Sequence, residues 1–128
     1  MKKHARIYVL DKDDQFTAIF LGTVEDSNTG YYIEYEDSEG VTCVIGYSKG
    51  IATITRTAEP IYTLVLEEGA PHAFRIETPY GNIEAAAHPI TVRSRNYGNK
   101  RTITLVYDLI LGKEKMRHTL KLKVELLE

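Results

Sequence analysis

At 128 residues with a net charge of −2 and a pI near 6.1, the chain has the size of one domain burying about two-thirds of its unfolded surface. It lacks the strongly basic balance of a general nucleic-acid binder. Cys43 is the only cysteine, which excludes an intrachain disulfide or a cysteine-built zinc cluster and makes a reducing, cytoplasmic setting the expectation.

The opening "MKKHARIYVLDKDD" carries two lysines, but its apolar run stops at Asp11, far short of a signal-peptide core. No stretch approaches the roughly 20 apolar residues of a membrane span, so no membrane contact is expected. Turn signals then follow at roughly 8- to 12-residue spacing: "DKDD", "DSNTG", "DSEG", "SKG", "TAEP", "EEGAP", "TPYG", "AHP", "YGNK" and "LGKEK". All four prolines, Pro60, Pro71, Pro79 and Pro89, fall at these breaks, where no ladder donor is needed.

Between the breaks, the early runs "QFTAIFLGTV" and "VTCVIGY" are apolar on both faces. Glu34 and Glu36 share one side of "IEYEDSEG" and read as a solvated, charged edge. Further on, Phe74 and Ile76 oppose Arg75 and Glu77, and Ile83, Ala85 and Ala87 oppose Glu84. Ile90 and Val92 oppose Arg93 and Arg95. Thr78-Pro79-Tyr80-Gly81 suits a type I turn joining "HAFRIE" to "NIEAAA", with Tyr80 at its lip. In "RTITLVYDLIL", Ile103, Leu105, Tyr107, Leu109 and Leu111 face one way while Thr102, Thr104 and Asp108 face the other. The last run alternates Met116, His118, Leu120, Leu122, Val124 and Leu126 with polar residues, which a helical period would not do.

The expectation is a single domain over 1–128: an all-β, antiparallel up-and-down meander of about 8 to 11 strands. Closure into a barrel removes its edges. Two local basic groups, Arg93, Arg95, Lys100 and Arg101, and Lys113, Lys115, Arg117, Lys121 and Lys123, read as solvated strand faces, with no nucleic-acid partner expected.

The ordered series "ITRTAEPIYTLVLEEG", "IETPYGNIEA", "RTITLVYDLILGKE" and "HTLKLKVE" resembles the YwiB-like family of small bacterial proteins. There a Thr-Pro-Tyr-Gly-like turn precedes a strand, then a Tyr-x-Leu strand ending in Gly, then a final strand. The resemblance implies a calycin- or lipocalin-like barrel without an established function. Where the family often has Arg-x-Gly, this chain has Arg56-Thr57-Ala58, which weakens any role carried over to Arg56.

No nucleophile elbow, phosphate loop, dinucleotide fingerprint or zinc helix is present. His4, His72, His88 and His118 are scattered, His72 and His88 beside turn prolines; Cys43 lies in an apolar run and reads as an inert small hydrophobe. More informative are polar residues on faces that otherwise read as core: Arg56 beyond Ile54, Tyr62 before Leu64, Tyr107 between Leu105 and Leu109, and His118 between Met116 and Leu120.

Two readings are open. In one, Arg56 and His118 reach solvent or carboxylates at the barrel ends and the phenols bond to backbone. In the other, Arg56, Tyr62, Tyr107 and His118 line a cavity that takes a small, partly apolar anionic ligand, with no enzymatic step, cofactor or metal. A lone axial haem ligand at His118 is a third. The alternative class is a structural or protein-interaction barrel with a filled interior, monomeric or a homodimer, using tyrosines such as Tyr31, Tyr32 and Tyr97 as an exposed surface.

Overall fold

Two-residue alternation gives each strand an apolar face, and only a curved sheet buries all those faces together. In the computed structural model, which describes residues 2–127, ten strands satisfy this. They are β1 (Lys2–Leu10), β2 (Phe16–Asp26), β3 (Gly30–Glu36), β4 (Thr42–Ser48), β5 (Ile51–Arg56), β6 (Tyr62–Glu67), β7 (His72–Thr78), β8 (Gly81–Tyr97), β9 (Lys100–Leu111) and β10 (Glu114–Leu126). Every pairing is antiparallel, in the order β6-β5-β4-β3-β2-β1-β10-β9-β8-β7. This is the expected meander, wrapped until β1 meets β10 from Ala5↔Leu126 to Leu10↔Lys121. No helix among the described residues is long and apolar enough to cross a membrane.

The barrel is nearly closed. Its seam lies between β6 and β7, the two ends of the strand order. Beside the β6–β7 turn, where Glu67 bridges Ala70, the seam is clasped twice. Ile61 and Glu77 exchange two backbone hydrogen bonds of 2.9 and 2.8 Å. At the other end, the Glu68 carboxylate accepts the Val92 N–H at 2.9 Å.

Inside, Ala5, Ile7, Val24, Ile33, Ile45, Ala52, Leu64, Leu66, Ile103, Leu105, Leu122 and Val124 pack as one buried cluster drawn from nearly every strand. Each large member contributes about 1.5–3 kcal/mol through burial. Tyr31, expected on the surface, is instead 1% exposed within this cluster, because alternation along β3 turns Tyr31, Ile33 and Tyr35 inward together. Tyr32 and Tyr97 are exposed as expected. Glu34 and Glu36 do lie on the outer face, but β3 pairs on both sides and is no edge.

The break expected at residues 87–89 is not a turn. β8 runs through it for 17 residues, and the register slips between Pro89 and Thr91. This bulge leaves Ile90 exposed and buries Val92. Before it the inward residues are Ala85 and Ala87; after it they are Val92 and Ser94, while Arg93, Arg95 and Tyr97 turn outward. The proline tolerates its place because a bulge relieves the ladder of one donor.

Asp108 takes the outer face, as alternation requires, yet is only 5% exposed. Its cross-strand neighbour Arg117 grips it with Nε at 2.9 Å and a terminal nitrogen at 3.2 Å, and Lys115 approaches to 3.6 Å. The Arg117 hydrogen bond, outweighing burial, holds the carboxyl below the usual aspartate range. A depressed folded value stabilises fully above the unfolded value near about 4 and ceases to do so as pH falls through the folded value. Asp108→Asn therefore lowers Tm at pH 7, and the gap to wild type narrows on acidification below about pH 4, measured by thermal melts across pH.

Gly30 is required by close approach. A Cβ there would strike the Tyr47 carbonyl oxygen on β4, which cannot swing away without parting the ladder. Gly30→Ala should cost about 1–3 kcal/mol by overpacking, read as a lower denaturant midpoint with an unchanged slope.

Candidate functional site

In an up-and-down barrel alternate turns gather at the same end. The turns after β1, β3, β5, β7 and β9 surround one mouth, and the inward residues nearest it are those whose polarity breaks the core pattern. Cross-strand register sets Tyr35 beside Cys43, Cys43 beside Arg56, Arg56 beside Tyr62, and Tyr107 beside His118. All four sequence-predicted residues thus lie at this end. Tyr35, Cys43 and Asp37 join them; the signal for Tyr35 was the same alternation that buries Tyr31 and Ile33.

Arg56 is already engaged. A terminal nitrogen donates to Asp37 Oδ2 at 3.0 Å, the other to the Glu59 carbonyl at 3.3 Å, and Glu39 lies 3.9 Å away. Asp37 is itself fixed by its turn, its Oδ1 accepting the N–H groups of Glu39 and Val41 at 2.9 and 3.0 Å. Those backbone bonds, Val41 foremost, together with Arg56, hold its carboxyl below the ordinary value. One charged donor remains over: Arg56 Nε is buried without an acceptor.

The phenols differ. Tyr35, Tyr62 and Tyr107 are half-buried, and none of their hydroxyls has a hydrogen-bond partner among the described residues. Burial pushes Tyr35 and Tyr107 up to about 12; Cys43, Asp37 and Tyr62 add to the first, and Tyr62 to the second. Tyr62 is raised by burial and Cys43, against the opposing pull of Arg56. The Cys43 thiol, 3.8 Å from Asp37 Oδ2, is pushed up by burial and by Asp37. That suits an inert side chain rather than a thiolate nucleophile. His118 is exposed at the rim, its ring stacked on Tyr107 with centroids 5.5 Å apart and planes 11° from parallel.

The opposite end provides a contrast. Arg101 there donates to Asp26 at 3.1 Å and to the Gly98 and Lys100 carbonyls, and its Nε is likewise buried without an acceptor. But the Tyr31 phenol is closed off by a very short hydrogen bond with Ser94, 2.5 Å between oxygens. An orphan guanidinium nitrogen marks both ends; among the described residues three phenols without an internal partner gather at the Arg56 end, against Tyr47 alone at the other.

The "TPYG" turn lies beside the same mouth. Pro79 and Tyr80 form its two-residue loop, pinned by the Thr78 hydroxyl, which donates to the Gly81 carbonyl at 2.7 Å and accepts the Tyr80 N–H at 3.2 Å. Tyr80 is 99% exposed. With Glu59, Pro60 and Ile83 it lines an open groove of about 570 Å³. Among the described residues no group of three or more His, Cys, Asp or Glu side chains could hold a metal.

The crystal structure of the YwiB protein from Bacillus subtilis superposes with a TM-score of 0.79 at 16% identity, covering 99% of this chain and 94% of that one. At that identity the likeness speaks for the fold. No curated protein sequence matches the chain. The family model described as a domain of unknown function, DUF1934, matches residues 3–123. With nearly its whole length matched and the same barrel as YwiB, the chain belongs to the DUF1934 family, as the series of motifs in its second half led one to expect.

Proposed function

We propose that the Arg56 end of the barrel binds a small, partly apolar anionic ligand without enzymatic conversion, in the manner of calycin-type carriers in the cytoplasm. The observation that carries this reading is the convergence of three half-buried phenols, Tyr35, Tyr62 and Tyr107, that make no internal hydrogen bond. Their hydroxyls are not sealed from water, so at this mouth they stand ready to donate to a ligand that takes the place of that water. A ligand oxyanion at the mouth would accept from the Tyr62 and Tyr107 hydroxyls beside the positive charge of Arg56. His118, stacked against Tyr107 at the rim, would flank the ligand's apolar part, and the Pro60–Tyr80 groove extends that apolar surface outward.

A second reading is an interaction barrel. It is favoured by the tightly packed middle of the barrel and by Phe16, Ile19 and Leu21, which stand exposed along β2.

Conservative hydroxyl removal separates the two. Because these phenols hold nothing inside the protein, Tyr62→Phe with Tyr107→Phe leaves Tm unchanged or slightly higher. In the ligand reading the same pair weakens binding at least about fivefold, each hydroxyl being worth about 0.5–1.5 kcal/mol. Native mass spectrometry of gently purified protein, followed by titration with short-chain carboxylates and alkyl phosphates, provides the assay. A bare protein mass with no response to either class would overturn the ligand reading.

Ultraviolet titration of tyrosinate gives an independent check. Two phenols should ionise only near pH 12, about two units above the ordinary value near 10, since burial disfavours the phenolate. Tyr107→Phe removes one of the two.

A further inference from the structure

We propose that the outer face of β1, β10, β9 and β8 binds single-stranded nucleic acid. Parts of the two basic groups that stand apart in the sequence, Arg93, Arg95 and Lys100 of one and Lys121 and Lys123 of the other, are brought side by side by strand pairing. Three rows cross the four strands: Leu10–Lys121–Thr104–Arg93, Tyr8–Lys123–Thr102–Arg95 and Arg6–Glu125–Lys100–Tyr97. Neighbouring strands lie about 4.8 Å apart and alternate residues of one strand about 7 Å apart, so the cations form a compact lattice. The whole-chain charge of −2 averages over a patch that the fold segregates.

Four of these cations, Arg93, Arg95, Lys100 and Lys123, have no carboxylate partner among the described residues. Glu125 is taken by Arg6 at 3.2 Å, and Asp14 by Lys121 at 2.9 Å. Thr102 and Thr104 set hydroxyl donors between the two basic columns, a combination suited to phosphate oxygens.

Aromatic rings decide between a nucleic acid and an acidic protein. Phe16 is 63% exposed with its ring 5.4 Å from that of Tyr8, and Tyr97 is 51% exposed at the end of β8. Two shallow grooves of about 360 Å³ each share Phe16 and Lys123; one reaches Tyr8 and Lys100, the other Tyr97 and Lys121. Flat rings set among cations are what unpaired bases stack on while the backbone tracks the charge. A duplex would hide its bases from them.

The test is fluorescence anisotropy with a labelled oligothymidylate of about 12 nucleotides. Four phosphate contacts give a log–log salt slope of about −3, a roughly 50-fold loss between about 50 and 200 mM salt. Arg95→Glu with Lys123→Glu abolishes binding at least tenfold, while Lys49→Glu on the β4–β5 turn leaves it within twofold. Phe16→Ala, at an exposed ring, weakens it about fivefold, the smaller end of one base–ring stack. The proposal fails if no salt-sensitive binding is seen at about 50 mM, or if the double charge reversal retains it. It also fails if Phe16→Ala is neutral and polyphosphate competes as well as the oligonucleotide, since the face would then be a generic polyanion surface.

Discussion

Everything in this protein depends on the pairing of its first strand with its last. β1 and β10 exchange six registered positions between residues more than a hundred apart in sequence. That contact bends a flat meander into a nearly closed wall and gives each inward side chain something to pack against. The loop-closure entropy of so distant a pairing grows only slowly with length, and the buried Ile7, Leu122 and Val124 that flank it repay the cost. Since the chain ends supply the continuous ladder, the weak line of the cylinder falls in mid-sequence, at β6 and β7, where two local clasps replace a full set of rungs.

Closure also explains why polar residues collect at the mouths. A cylinder of alternating strands has a middle that must be apolar and two ends where the alternation meets water. An arginine sits at each end, Arg56 and Arg101, each tied to a carboxylate carried by a turn or strand terminus, Asp37 and Asp26. Both guanidinium groups use their terminal nitrogens and leave Nε over. The ends differ in their phenols: at the Arg101 end Tyr31 is closed by Ser94, while at the Arg56 end Tyr35, Tyr62 and Tyr107 all keep their hydroxyls free of internal partners.

Much of the architecture was legible in the chain because side-chain period and turn residues act locally. "RTITLVYDLIL" and the run ending at Leu126 behave as their two-residue period requires, and the placement of Arg56, Tyr62, Tyr107 and His118 at a shared end follows from the same parity. What local reasoning missed came from pairing. The carboxylate that binds Arg56 lies on another strand's turn, so a sequence window around Arg56 contains no trace of it. Tyr31 looks like a surface tyrosine until its parity with Ile33 is followed inward. Pro89 looked like a terminator because a proline cannot serve an ordinary ladder, and only the neighbouring register reveals a strand that steps around it.

That step at Pro89–Thr91 makes the length of β8 a matter of odd and even. Ile90 is the extra residue, and it makes Pro89 and Val92, three positions apart, face the same way. Deleting it would leave the parity of the strand intact, with Val92 and Ser94 inward and Arg93 and Arg95 outward, and would set Pro89 in an uninterrupted ladder. Losing one residue beyond the bulge, between Val92 and Arg95, would instead turn the rest of the strand over and drive a guanidinium group into the hydrocarbon interior.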